Sequence, residues 1–146
     1  MILSCLSKFK LTIFSKFEAE MINLKRQIEY WTNGASEDLD IAKILIERNR
    51  MLHGLFFCHL VIEKALKAHV VKKTSELPPR THNLINLAEK LDLSLIEDDE
   101  IFLGILMKYQ LQGRYPDYNP VIPEKSIVLT YLNKTEKLLQ WLKEKL

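Results

Sequence analysis

The sequence predicts an all-α fold, an up-and-down antiparallel bundle of four to five helices, and three observations carry that expectation. Glycine and proline are scarce, at 4 and 5 residues among 146, which is about 6% against a usual level near 12%. A sandwich, barrel or meander needs a turn signal every 8 to 12 residues or so, and this chain has too few. Apolar residues recur at helical spacing through most of the chain, and no convincing strand pattern interrupts them. Finally, 146 residues that are 47% hydrophobic and 27% charged suit one domain around one core.

The first twenty residues, MILSCLSKFKLTIFSKFEAE, read as an N-terminal extension to a domain spanning 21–146. Leu6, Phe9, Ile13 and Phe17 recur at helical spacing, so a helix is predicted there. It is a tail before a natural start at Met21, an amphipathic helix for a partner or a membrane surface, or a helix packed on the domain. Lys8, Lys10 and Lys16 interrupt it and no small-residue cleavage site follows, which makes a poor secretory signal. Ile22 to Trp31 reads as a short helix stopped near Asn33 and Gly34, a pair that favours a turn. Ser36 then reads as an N-cap, with Glu37 and Asp38 in the first turn and Leu39, Ala42, Leu45 and Ile46 as the apolar stripe.

Met51 to Lys73 is apolar nearly all round in its first half, the pattern of a central helix covered by several neighbours. Pro78 and Pro79 are expected to end it. Thr81 is placed as the cap of the next helix, with Leu84, Leu87, Ala88 and Leu91 inward. Asp98 or Asp99 is placed as the cap of another, with Ile101, Phe102, Ile105 and Leu106 inward and an end near Gln112 and Gly113. RYPDYNPVIP follows as an extended, proline-stiffened loop. Pro123 suits the first position of a last helix that carries Ile127, Val128, Tyr131, Leu132, Leu138, Leu139 and Leu142.

The net charge of +2, from 21 basic and 19 acidic residues, does not support tight sequence-independent attraction to a phosphate backbone. A local patch would be needed, and Lys64, Lys67, Lys72, Lys73 and Arg80 supply one, opposed by Glu76. Asp92, Glu97, Asp98, Asp99 and Glu100 form an acidic counterpart. Either these are two solvated surfaces, or the basic one steers a nucleotide, RNA or an acidic partner. Cys5 and Cys58 lack metal or disulfide-framework spacing, which suits a reducing cytoplasm. The longest uncharged stretch, Met51 to Ile62, falls short of the roughly 18 residues of a membrane span, so no membrane association through a spanning helix is expected.

The four glycines, at 34, 54, 104 and 113, are scattered, so no phosphate-cradling loop exists. His59 and Glu63 lie one helical turn apart, as metal ligands on bundle helices do, but no second such pair accompanies them. A surface or interface histidine is the reading preferred there, and no metal or other cofactor is expected. Glu63 and Lys67 have the spacing and order of a helical ion pair, on the helix expected to be most buried. Arg114 follows Gly113 and is flanked by Tyr115 and Tyr118. Its guanidinium could grip a phosphate while a base stacks nearby, or it could cap the preceding helix and pair with Asp117.

SEDLDIAKILIE at 36–47, HLVIEKALKAHV at 59–70, THNLINL at 81–87 and GRYPDYN at 113–119 resemble, in order, the HEPN domain of higher eukaryotes and prokaryotes. The resemblance covers roughly Met21 to Leu146. It implies a helical bundle that is usually a homodimer, often encoded beside a minimal nucleotidyltransferase in a toxin-antitoxin-like pair. It also implies nucleotide binding or, in toxin members, metal-independent RNA cleavage. Cleaving members carry Arg, four to six further residues, then His. Arg114 matches the Arg, but Asn119, Pro120 and Val121 occupy the positions of the His. Proton transfer to and from an RNA needs a group titrating near neutrality, which asparagine is not.

The expectation is therefore a HEPN-like homodimer, non-catalytic or weakly catalytic, that binds a nucleotide or RNA phosphate. Arg114, Tyr115, Asn119, Lys64 and Lys67 are the binding residues, with Glu63, Asp117 and Tyr118 in support. A metal-independent RNase toxin using Arg114 with His82, or with His59 of a second copy, is the alternative. A dimerisation module alone is a third.

Overall fold

Five helices make up the protein: α1 (Ile2–Glu47), α2 (Met51–Thr74), α3 (Leu84–Glu89), α4 (Glu97–Arg114) and α5 (Lys125–Lys145). They come from a computed structural model that describes residues 2–115 and 121–146, the side chains of 2, 3 and 112–114 excepted. Among the described residues there is no strand. Cross-links between helices fix the topology. Lys64 of α2 reaches Asp38 of α1, and Lys67 reaches Trp31, so these two helices run antiparallel. His69 and Lys72 of α2 bond the carbonyls of Leu142 and Leu146, so α5 runs parallel to α2. Lys134 bonds the carbonyl of Asp98, while Tyr109 stacks near Tyr131, so α4 opposes both. The result is the up-and-down bundle expected, with the short α3 packed against α2 and α4.

The break expected at Asn33 and Gly34 does not occur, and α1 runs through it without interruption. Gly34 is small for packing rather than for turning. A Cβ there would stand 3.2 Å from Cδ of Lys64, whose stem lies across α1 on its way to Asp38. Ser36 is accordingly no N-cap; its hydroxyl donates to the carbonyl of Thr32 one turn back. The turn between α1 and α2 is made at Asn49, which takes the left-handed conformation at φ 59°, a region that asparagine tolerates. Helix α2 ends at Ser75, also left-handed, and so before Pro78 and Pro79.

The other caps also shift. Asn83, not Thr81, caps α3 by accepting the Asn86 N–H. Asp98 and Asp99 lie inside the first turn of α4 beside Glu97 and Glu100, where their charge meets the helix dipole, and Ile96 is the N-cap. Helix α5 starts at Lys125 after Glu124, two residues beyond Pro123.

One core joins the helices, centred on Leu66, Leu84, Phe102, Leu106 and Leu139, and a smaller cluster of Ile46, Leu55, Tyr109 and Val128 closes the end at the α1–α2 turn. Ile101, expected to face inward, is 57% exposed, and Ile127 is also exposed. Near that turn the helices touch so closely that a Cβ on Gly54 would fall 2.4 Å from Cγ1 of Ile46. Gly54→Ala should therefore destabilise the protein by about 1–3 kcal/mol, despite alanine's better helix propensity. The companion change Ile46→Val, which removes Cδ1 but not Cγ1, should not rescue it, whereas Ile46→Ala should recover part of the loss. Urea unfolding of the three variants checks this.

Candidate functional site

Glu63 sits in the middle of α2, almost wholly buried, and gathers three cationic or potentially cationic groups. Lys67, one turn on, places its ammonium 2.7 Å from Oε1. His82, from the segment before α3, donates from Nδ1 to Oε2 at 3.1 Å. His59, one turn back, sets its own Nδ1 3.5 Å from Oε2. Trp31 of α1 closes the cluster, with the Lys67 ammonium 5.3 Å from its ring centroid, a distance for cation–π attraction. Burial alone pushes the Glu63 carboxyl up; the hydrogen bonds of Lys67 and His82, with the charges of Lys67 and His59, outweigh it and hold the group below its ordinary value.

The ring tautomers follow from the partners. A carbonyl can only accept, so His59 donates from Nε2 to the backbone oxygen of His82, 2.9 Å away. A carboxylate also only accepts, so the Nδ1 of His82 carries a proton and its Nε2 edge points away from Glu63. The His82 side chain is 48% exposed. The segment is thus tied to α2 twice, through the His82 backbone and through its ring. Neighbouring hydroxyl and amide groups shape it further, as Thr81 accepts the Asn83 N–H and Asn83 caps α3.

His59, read as a surface or interface histidine, has no exposed surface at all. Being buried on α2, it cannot serve a second copy's substrate. Lys64 and Lys67, proposed for phosphate, are already paired with Asp38 and Glu63, Lys67 inside the protein and Lys64 half-buried. Lys72 bonds the Leu146 carbonyl and Lys73 bonds Asp92, so most of the basic run is engaged in joining helices. Among the described residues no group of three or more His, Cys, Asp or Glu side chains is arranged to hold a metal ion, and no helix is long and apolar enough to cross a membrane.

Arg114 is the last residue of α4, and Tyr115, 59% exposed, follows it. The side chain of Arg114, and all of Asp117, Tyr118 and Asn119, lie outside the described residues. The backbone still sets a distance. Tyr109 lies level with Leu55, and from there Arg114 is five residues toward one pole while Glu63 is eight toward the other. At 1.5 Å per residue they stand about 20 Å apart along the bundle. The protein therefore brings Glu63, Lys67 and His82 together, with Lys64 nearby, and leaves the Arg114 end of α4 apart from them.

Asp38 and the His59–His82 link were missed in the sequence. Asp38 was legible from its phase, between the buried Ala35 and Ala42, and His59 from the uncharged run around it.

Crystal structures with the same fold are known. TT1696 from Thermus thermophilus is 24% identical, covers 82% of this chain and 98% of its own, and superposes with a TM-score of 0.71. ST0689, described as an archaeal HEPN homologue, is 22% identical over 81% of this chain and 96% of its own, at a TM-score of 0.64. No curated protein matches the sequence. The family model of the HEPN domain matches residues 28–146, beginning where α1 enters the bundle, and the chain belongs to the HEPN domain family.

Proposed function

We propose that the protein binds RNA phosphates as a HEPN homodimer, working beside a minimal nucleotidyltransferase in a toxin-antitoxin-like pair. The observation that carries the reading is His82, a half-exposed imidazole whose ring is aimed by a buried carboxylate. Such a ring, held in one tautomer, offers a fixed polar edge to solvent. Arg114 supplies the second group, a guanidinium suited to two-point phosphate contact, with Tyr115 beside it for stacking and Asn119 for a ribose hydroxyl. About 20 Å of bundle axis between them, at 1.5 Å per residue, is too long for one mononucleotide. An RNA segment of several nucleotides can touch both, as can a ligand lying between two copies.

Anisotropy titration of a labelled single-stranded RNA tests the reading. Arg114→Ala should weaken binding about tenfold or more, the loss typical of a charge-assisted hydrogen bond, and affinity should fall with added salt. Affinity unchanged in Arg114→Ala rejects the site. The same His82–Glu63 arrangement favours a second reading, a metal-independent ribonuclease in which His82 of one copy moves protons that Asn119 cannot, at a phosphate held by Arg114 of the other copy. RNA cleavage in EDTA, lost in both Arg114→Ala and His82→Ala, would establish it.

A further inference from the structure

The first turns of α1 project beyond the end of α2. Leu6, Phe9, Ile13, Phe17 and Met21 are each 52–65% exposed, and the helix meets the bundle only near Leu24 and Ile28, beside Val71, Lys72 and Ser75. On the order of 30 Å of helix therefore stands clear of the domain, at 1.5 Å per residue. Its core-type positions form a strict heptad series with spacings of 4, 3, 4, 3 and 4: Leu6, Lys10, Ile13, Phe17, Glu20 and Leu24. The series is a palindrome about Ser15. Reversed and laid on itself, it sets Leu6 against Leu24, Ile13 against Phe17, and Lys10 against Glu20.

We propose that this segment is a self-association helix, pairing antiparallel with α1 of a second copy over residues 6–24. In an antiparallel coiled coil each a position faces a d position, and every such layer here joins two apolar residues or one Lys with one Glu. The parallel alternative stacks Lys10 on Lys10 and Glu20 on Glu20, which places like charges in the seam. Charge thus selects orientation and register together. Phe9 and Met21 flank the charged layer and shield it. The exposed apolar side chains, at on the order of 100 Å² each, give about 1,000 Å² over two copies, the threshold for a specific interface. The tip of the second helix reaches the apolar groove of about 700 Å³ between Met21–Ile28 and the end of α2, which it would fill.

Charge reversal in the full-length protein tests this by light scattering at micromolar concentration. Lys10→Glu and Glu20→Lys each put like charges in two layers and should halve the molar mass relative to wild type. The double variant Lys10→Glu/Glu20→Lys should restore it. Ile13→Asp, at an exposed position that leaves the bundle's thermal midpoint unchanged, should also halve the mass. Halving is expected whether or not the bundles also associate through another face, and RNA affinity is read separately. A mass unaffected by the single reversals, or unrestored in the double variant, overturns the proposal. So does wild type that pellets with phosphatidylserine vesicles, through Ile13, without any halving in solution.

Discussion

Glu63→Ala is expected to lower the free energy of unfolding by about 3–5 kcal/mol, because it leaves the Lys67 ammonium buried without its counter-charge. Lys67 and Glu63 are both nearly sealed from solvent, 6% and 4% exposed, and the Trp31 ring is the main attraction left to the cation. The ring of His82 also loses its anchor, so the segment before α3 should exchange its amide hydrogens faster. Replacing the pair by apolar residues, Glu63→Leu with Lys67→Met, should recover most of the loss in urea unfolding. Failure of the pair to recover would mean that Glu63 acts through the histidines instead. The carboxyl also sets a pH dependence. Its folded value lies below its ordinary one, so its contribution is complete above the ordinary carboxylate range and is lost as pH falls through the lowered value. Glu63→Gln should flatten that acid limb.

Phe102→Ala should be comparably severe, at about 3–5 kcal/mol. Phe102 is 1% exposed, with its ring centroid 5.9 Å from that of Tyr131 and the Lys134 ammonium 5.2 Å above it. Truncation opens a cavity where α4 meets α5 and removes both ring contacts. The neighbouring change Ile101→Ala, at a residue facing solvent, should stay within about 0.5 kcal/mol. Thermal unfolding of the two variants distinguishes them, and a similar loss in both would contradict the packing described for α4.

That contrast shows where the sequence was legible. Helix identity and order could be read because each buried stripe is long: the uncharged run beginning at Met51 marked the central helix to within a residue at each end. Phase within a stripe was less secure, since Ile101 and Phe102 are equally apolar and only the neighbouring helices decide between them. Gly34 misled for a related reason. Its neighbour Asn33 made a turn signal, but the absent Cβ answers to Lys64 on another helix, a contact no local pattern records. In the candidate site, the Glu63–Lys67 pair followed from spacing alone. Its link to His82 spans nineteen positions of chain and depends on how α3 folds back, so it was hidden. The four segments that resembled the family divide in the same way. Three of them meet around Glu63 and Asp38, while GRYPDYN lies at the far end of α4.

The left-handed turn at Asn49 also bears on the order in which the chain assembles. Ile46 and Gly54 meet across it first, and Asp38–Lys64 and Trp31–Lys67 follow at steadily greater separation. Each contact extends a loop already shut, from 8 to 26 to 36 residues, so the entropy of closing it is surrendered in steps rather than all at once. Helix α5 can pair with α4 in the same stepwise way, but it has no such route to α1. Its bonds to α1, Lys43–Glu136 and Lys143–Ser36, join positions 93 and 107 residues apart. The α1–α2 hairpin should therefore zip early, and the docking of α5 onto it should set the folding rate.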